Sequence, residues 1–182
     1  MTGARDGVNA GVRIPEGTLM KDVRIIVTGG TIDKVHDPMT ESLGFAKDAS
    51  THIPEILALG RCHFPRVERI MLKDSLDFDD ADRDAIVAAV EASEETAIVV
   101  THGTGTMGES ARWLSRRVQG KTIVLTGAMR PHSLSFSDGA FNLGGAIIAA
   151  QTLPEGVYGV MNGRVFEAAA LDKNTEQGRF DA

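Results

Sequence analysis

The chain has 182 residues, of which 42% are hydrophobic and 24% are charged, values that are ordinary for a soluble globular protein. This length predicts one domain whose core is large enough to fold without disulfides. The single cysteine, Cys62, excludes an internal disulfide and favours a reducing compartment. The formal net charge of -6 argues against nucleic acid or an anionic membrane as the main partner.

The first 22 residues contain four spaced glycines and lack the basic head, apolar run and cleavage site of a secretory signal. We therefore expect residues 1–22 to form a flexible lead-in to one domain that spans residues 23–182. No run of 18 apolar residues occurs, so no membrane-spanning segment is expected. These features together predict a cytoplasmic protein.

The pattern of elements begins with a short β-branched strand at residues 23–27, which runs into a tight glycine turn. A polar stretch without a clear pattern extends to about Thr51. Beyond it the sequence predicts a short helix at 53–59, strands at 67–72, 97–100, 122–125 and 157–161, and helices at 79–91, 107–118 and 139–151. Asn162-Gly163 predicts a turn into a small terminal hairpin.

Strands that alternate with helices of this length predict an α/β fold with a mostly parallel sheet and helices on both faces. The expected arrangement is a three-layer fold of the flavodoxin-like or Rossmann-like kind. Ligands bind such sheets at the carboxyl ends of the strands. Three of the predicted strand ends carry clusters of glycine and threonine, which makes this edge the candidate site.

Two of these clusters each present a threonine beside glycines: Thr31 in residues 29–31 and Thr104 in residues 103–106. A threonine hydroxyl becomes a useful nucleophile when a neighbouring base or cation activates it. The glycines allow a close approach of substrate and leave backbone N–H groups free to form an oxyanion hole. Taken singly, each turn is better explained as a strand-to-helix connection with a capping threonine. Two such turns at one edge of the sheet make the structural and catalytic explanations about equal.

Four blocks in register resemble the conserved blocks of the bacterial-type L-asparaginases: residues 28–32 (Thr-Gly-Gly-Thr-Ile), 101–107 (Thr-His-Gly-Thr-Gly-Thr-Met), 126–131 (Thr-Gly-Ala-Met-Arg-Pro) and 137–143 (Ser-Asp-Gly-Ala-Phe-Asn-Leu). The resemblance covers roughly residues 23–182 and matches the amino-terminal, catalytic domain of that family. It implies an amidohydrolase that converts L-asparagine to L-aspartate and ammonia through a threonyl acyl-enzyme. It implies no metal and no organic cofactor, and the sequence has no zinc-like His/Cys spacing.

By this resemblance, Thr31 corresponds to the flexible-loop threonine, the candidate primary nucleophile. Thr104 corresponds to the second threonine, which belongs to a Thr–Asp–Lys triad, and Lys173 keeps the spacing of the triad lysine. If burial lowers its pKa, this lysine can accept the hydroxyl proton. Which threonine attacks first stays open. The substrate contacts implied by the family are Gly30, Asp74, Ser75, Gly103, Gly105 and Ala128.

Within that set, Ser75 would hold the substrate's α-carboxylate, and the carbonyl of Ala128 would meet the leaving amide nitrogen. Arg130 and Asp138 are expected to shape their own loop rather than touch substrate. His102 is expected to be a structural histidine that orders its turn. Asp79 or Asp80 is the expected N-terminal cap of the helix that follows Ser75.

The sequence departs from the family pattern at Gly105, where the family carries the triad aspartate that also pairs with the substrate's α-ammonium. Losing such a contact costs about 1.5–3 kcal/mol. Three alternatives therefore stay open: a hydrolase of a related amide without the α-amine, a non-catalytic binding domain, and an introduced change from aspartate.

A second departure concerns the loop after Thr31, where the family carries a tyrosine that assists the nucleophile. His36 lies in this loop and is either a substitute proton carrier or an ordinary surface histidine. The chain also matches only the first of the two domains that most family members have, as in short, single-domain asparaginases. We therefore expect a homo-oligomer, a dimer or tetramer. Either a second copy completes the site, or the site remains more open.

Overall fold

The computed structural model describes residues 20–181. Their strands are β1 (Val23–Gly29), β2 (Lys34–Asp37), β3 (Ser42–Phe45), β4 (Arg66–Lys73), β5 (Ala97–Thr101), β6 (Thr122–Thr126), β7 (Gly156–Met161) and β8 (Arg164–Glu167). Their helices are α1 (Ile53–Leu59), α2 (Asp80–Ala92), α3 (Met107–Ser115) and α4 (Gly139–Thr152). Most of the predicted lead-in, residues 1–19, lies outside the described residues, so the domain boundary stays a prediction. No helix within residues 20–181 has the length and apolarity needed to cross a membrane.

Six strands form one sheet in the order β4-β1-β5-β6-β7-β8. All neighbours pair in parallel except β7 and β8, which are antiparallel. The turn between these two strands is the predicted Asn162-Gly163, and its φ angles of 53° and 77° are both positive. A two-residue hairpin turn requires this backbone, which asparagine and glycine adopt readily. The predicted, mostly parallel sheet is therefore confirmed.

The core lies in two layers, one on each face of the sheet. Side chains alternate along each strand, so neighbouring residues point to opposite faces. Ile26, Val100 and Leu125 pack with α2 and α3, whereas Val27, Val99 and Val124 pack with α1 and α4. All six are fully buried. The predicted three-layer α/β fold, with helices on both faces, is confirmed.

Helix α2 begins at the cap that the sequence indicates. The Asp79 carboxylate accepts the backbone N–H of Asp82, and the Asp82 carboxylate accepts the backbone N–H of Asp79. This reciprocal capping box satisfies two N–H groups that have no partner inside the helix. The helix therefore starts at Asp80, and the preceding residues are free to turn back toward the strand ends.

Residues 34–51, for which the sequence shows no clear pattern, contain a small hairpin. Strands β2 and β3 pair only with each other and form a separate two-stranded sheet. The base of this segment is closed by Asp33, whose Oδ1 accepts both the Thr51 hydroxyl and the His52 N–H at 2.8 Å. Such short strands are marginal by themselves, so contacts outside the hairpin decide whether it forms.

Candidate active site

Two glycine turns bring the carboxyl ends of β1 and β5 into direct backbone contact. Gly30 has a φ angle of +81°, and a Cβ added there would lie only 2.4 Å from the backbone nitrogen of Gly103. Only glycine allows so close an approach at a positive φ. Thr31 and Thr104 directly follow these two glycines, one half-buried and the other 8% exposed. The structure therefore brings the two predicted threonines to one place.

Ser75 joins this edge from the end of β4. A Cβ added to Gly103 would lie 2.4 Å from the Ser75 hydroxyl oxygen, so the hydroxyl rests on that glycine. Thr106 donates from its hydroxyl to the Ser75 carbonyl at 2.7 Å and from its backbone N–H to the Ser75 hydroxyl at 3.4 Å. Ser75 is 1% exposed. Three strand ends, those of β1, β4 and β5, thus meet around Thr31 and Thr104.

The end of β6 closes the site from the other side of β5. Ala128 is fully buried, and a Cβ on its neighbour Gly127 would lie 2.3 Å from the carbonyl oxygen of His102. The following turn is held by Asp138, whose carboxylate accepts the backbone N–H groups of Met129 and Arg130 at 3.0 Å. The Arg130 guanidinium donates to the carbonyls of residues 134 and 135. Arg130 and Asp138 therefore shape their own loop, as the sequence predicts.

His102 is the structural histidine that the sequence predicts. It is fully buried, its Nδ1 lies 2.7 Å from the Gly103 carbonyl, and its Nε2 lies 2.8 Å from the Ser110 hydroxyl. A carbonyl only accepts, so Nδ1 carries the proton and Nε2 accepts from Ser110. Burial disfavours the charged imidazolium and lowers the pKa of His102 to about 4. The neutral ring thereby orients the Gly103 carbonyl beside Thr104.

This buried neutral histidine makes the fold sensitive to acid. Unfolded His102 binds its proton near pH 6.5, whereas the folded form binds it near pH 4, so stability is lost as the pH falls through this window. Between pH 7 and pH 5 this group alone is expected to remove about 2 kcal/mol of the free energy of unfolding. Urea unfolding of the native chain and of His102→Gln at both pH values measures the difference.

We expect His102→Gln to be less stable at pH 7 and to lose less stability on acidification. The matched control is His63→Gln, the same substitution at an exposed histidine. The buried carboxyl of Asp33, whose pKa is raised by burial, contributes a dependence of the opposite sign in every variant. An equal acid sensitivity in the native chain and in His102→Gln would contradict the assignment.

Lys173 lies in the segment after β8 and is half-buried. The two residues before it are fixed to the first turns of α3, the helix that follows Thr104. A Cβ added to Gly108 would lie 2.0 Å from the Leu171 carbonyl oxygen. Asp172 pairs with both terminal nitrogens of Arg112, at 3.1 and 3.2 Å. The structure therefore holds the backbone before Lys173 against the same helix that the Thr104 turn begins.

Asp74 is a predicted substrate contact whose carboxylate is already engaged. One oxygen lies 2.5 Å from the Lys34 ammonium and the other accepts the backbone N–H of Leu76 at 3.1 Å. Partial burial, the largest single effect, acts to raise the pKa of Asp74. The hydrogen bonds from Lys34 and from the Leu76 N–H, together with the charge of Lys34, outweigh it and leave the pKa below its usual range. Asp74 is therefore an ionised carboxylate that ties the Ser75 turn to the segment after Thr31.

His36 and Gly105 occupy different positions relative to the threonines. His36 is exposed on β2, where Leu43 faces it across the hairpin, and among residues 20–181 no hydrogen bond joins its ring to Thr31. Gly105 is exposed directly after Thr104, and a Cβ there would lie 2.6 Å from Cδ2 of Leu76. The Leu76 side chain, 73% exposed, therefore lies beside Gly105, in the space that a side chain there would need.

Two residues that organise the site have no role in the expectations from the sequence. Asn142 is fully buried on α4; its amide donates to the Gly127 carbonyl and to Asp138, and its oxygen accepts the Asn162 N–H. Lys34, whose ammonium pairs with Asp74, is the second such residue. An asparagine within an apolar helix is a signal that could have indicated the first role. For Lys34 the sequence carries no such signal, because its partner lies 40 residues away.

Within the described part of the chain, no three histidine, cysteine, aspartate or glutamate side chains lie together in a way that could hold a metal ion. Burial raises the pKa of the Cys62 thiol, which makes the reactive thiolate rarer. The polar groups at the strand ends include the hydroxyls of Thr31, Thr104 and Ser75, backbone N–H groups of the glycine turns, and the ion pair of Lys34 with Asp74. Fold and site thus define a three-layer α/β protein whose threonine-bearing turns meet at the carboxyl ends of its parallel strands.

Residues 22–182 match the family model described as Asparaginase, N-terminal, and the chain therefore belongs to the asparaginase family. It is 30% identical to a probable periplasmic L-asparaginase of Haemophilus influenzae over 91% of this chain and 50% of the relative. It is 32% identical to a glutamyl-tRNA(Gln) amidotransferase subunit of Methanococcus vannielii over 80% of this chain and 35% of the relative. The crystal structure of L-asparaginase I from Vibrio cholerae superposes with a TM-score of 0.70 at 26% identity, covering 84% of this chain and 48% of that one. The chain thus spans about half or less of the length of these relatives.

Proposed function

We propose that the chain is an amidohydrolase that releases ammonia from the side-chain amide of L-asparagine. The observation that supports this proposal is the contact between the backbones of Gly30 and Gly103, the residues directly before Thr31 and Thr104. Membership of the asparaginase family supports the same reaction class. The H. influenzae relative is a probable L-asparaginase, whereas the M. vannielii relative belongs to an amidotransferase.

In the proposed reaction, the Thr31 hydroxyl attacks the amide carbon and loses its proton, and the amide nitrogen leaves as ammonia after gaining one. Water then cleaves the threonyl ester and regenerates the hydroxyl, so the overall reaction consumes one water and requires no cofactor. Thr104 and Lys173 would relay the proton, with His36 as an alternative carrier. Backbone N–H groups in the turns of Gly30 and Gly103 are the candidates for stabilising the oxyanion.

Substrate would be held by the same strand ends. Ser75, against Gly103, is the proposed contact for the α-carboxylate, and the Ala128 carbonyl is the proposed contact for the leaving nitrogen. Asp74 would act chiefly through the Ser75 turn, since its two carboxylate oxygens are already bonded to Lys34 and Leu76. Gly30, Gly103 and Gly105 would contribute backbone surface rather than side chains.

A second candidate substrate is a small amide without an α-amine. Its specific support is the exposed Leu76 side chain, which lies in the space that a side chain at position 105 would need. An aliphatic group there offers no charge to pair with an ammonium. A binding domain without catalysis is the third interpretation, and it predicts stabilisation by asparagine or aspartate without release of ammonia.

Gly105→Asp is the change that tests the substrate. The exposed Leu76 can rotate to admit the new Cβ, and the carboxylate supplies an ionic partner beside Thr104. We expect kcat/KM for asparagine to rise roughly ten- to a hundredfold, as for a gained charge-assisted hydrogen bond. The measurement is ammonia release from asparagine and from succinamate, its analogue without the amine.

Gly105→Asn is the matched control, since it has the same shape without the charge. A gain with aspartate but not with asparagine supports the ionic role, and the native chain is then a weakened asparaginase. A native preference for succinamate supports the second candidate. No ammonia from either amide with any variant contradicts the proposed hydrolysis and leaves the binding domain.

We also propose that the chain acts in the cytoplasm and self-associates. The lone cysteine supports a reducing compartment. Exposed apolar side chains on α4 and β8, those of Phe141, Ile148 and Val165, line a groove of about 590 Å³ and support association. The number of copies in the assembly, and any contribution of a second copy to the site, stay predictions.

A further inference from the structure

Lys34 makes three bonds that lead to three different strand ends. Its backbone N–H donates to the Thr31 carbonyl at the close of the 3-10 turn 31–33. Its own carbonyl accepts the hydroxyl of Ser133, in the loop after β6, at 2.8 Å. Its ammonium reaches Asp74, in the loop after β4, at 2.5 Å. One residue thus connects the Thr31 turn to the loops that follow β4 and β6.

The ion pair is the part of this connection that depends on the side chain of Lys34. Both partners are mostly shielded from water, with 19% of the Lys34 side chain and 30% of the Asp74 side chain exposed. A shielded, charge-assisted hydrogen bond is stronger than a solvent-exposed one. Asp74 is itself held by the Leu76 N–H, so the lysine binds to a carboxylate that is already oriented.

The hairpin that Lys34 begins packs against residues 132–134 along β2 but pairs with no strand of the main sheet. Its residues 38–43 are exposed, and Asp33 closes only its base. Segments with few buried contacts open locally at low cost in free energy. The same opening would move the Thr31 turn, because the Lys34 N–H is bonded to the Thr31 carbonyl.

From this geometry we propose that Lys34 is a positioning residue whose ion pair with Asp74 holds the β2–β3 hairpin and the Thr31 turn against the loop that follows β4. The effect on turnover rests on the proposed amide hydrolysis; the effect on the hairpin does not. Lys34 acts through Thr31 and need not touch the substrate. Loss of the ion pair should therefore lower kcat more than it raises KM.

The test compares Lys34→Met, Asp74→Asn and the double variant in the full chain. Asp74→Asn keeps an oxygen for the Leu76 N–H and removes only the charge. We expect hydrogen exchange of the amides in residues 34–45 to accelerate about tenfold in each single variant, as for loss of one charge-assisted hydrogen bond. The double variant should match the singles, because both remove the same bond. The charge swap Lys34→Asp with Asp74→Lys should restore part of the protection.

Lys73→Met is the matched control. Lys73 forms a second lysine–aspartate pair, also at 2.5 Å, with Asp82 of α2 and away from the hairpin. This variant should leave exchange in residues 34–45 and kcat unchanged. Unchanged hairpin exchange in Lys34→Met, or equal acceleration in Lys73→Met, would overturn the proposal.

Kinetics separate this proposal from a role of Asp74 in binding substrate. If Asp74 contacts substrate, Asp74→Asn raises KM well beyond Lys34→Met, and the positioning role of the pair is rejected. If the native chain releases no ammonia from any amide, the proposed function fails, and hydrogen exchange alone decides the role of Lys34.

Discussion

Thr31→Ala is expected to abolish ammonia release, with a fall in turnover of roughly a thousandfold or more, as for removal of a nucleophile. Thr104→Ala is expected to act as severely, because the two residues follow glycines whose backbones touch and would serve one reaction. Their effects should not add, since groups that act as a unit lose their function together. The measurement is ammonia release by the two single variants and the double variant.

The serine variants at both positions are the controls, because they keep the hydroxyl and remove only a methyl group. Acid quenching during turnover, followed by peptide mass spectrometry, should locate the acyl ester on the peptide that carries Thr31. An ester on the Thr104 peptide would exchange the roles of the two residues. Full activity in both alanine variants would place the chemistry elsewhere.

Gly108→Ala is expected to destabilise the fold by about 3 kcal/mol, although alanine is favoured over glycine in a helix by about 1 kcal/mol. The added Cβ would lie 2.0 Å from the Leu171 carbonyl oxygen. Leu171 is fully buried and packs against Gly159, so its backbone has little room to withdraw. Relief of the clash would shift the segment that leads to Lys173, and activity should fall with stability.

Gly144→Ala is the matched control for this substitution. Gly144 also lies inside a helix, α4, but no atom approaches within 4 Å of its added Cβ. Helix propensity then acts alone, and we expect a gain of about 0.5–1 kcal/mol. Urea unfolding of both variants measures whether each substitution raises or lowers the free energy of unfolding. A stabilising Gly108→Ala would show that the segment before Lys173 is not held against α3.

Much of the fold could be predicted because its signals are local. Helix α1 occupies the predicted residues 53–59, and the other predicted elements differ from the observed ones by a few residues at their ends. Apolar runs between glycine turns, and the Asn162-Gly163 turn before β8, are readable from the sequence alone. The β2–β3 hairpin is not, because its closure depends on Asp33, Thr51 and His52 rather than on its own pattern.

The candidate site was predictable to a smaller extent. Glycine–threonine blocks mark the strand ends, and a parallel sheet must gather those ends at one edge, so the nearness of Thr31 and Thr104 follows from topology. The roles of Arg130, Asp138 and His102 in their turns also agree with expectation. The sequence could not show which charged side chains are already paired with an opposite charge. Asp74 is the example, because its partner Lys34 belongs to another loop.

The sequence by itself determined the α/β class, the order of the strands along the chain, the family and the residues that deserve testing. It could do so because hydrophobic periodicity and glycine turns act over a few neighbouring residues. Only the tertiary structure decided that Lys34 pairs with Asp74, that Leu76 lies beside Gly105, and that Leu171 leaves no room for a side chain at Gly108. These three contacts join separate loops, and their geometry depends on how the sheet brings its edges together, which no local pattern records.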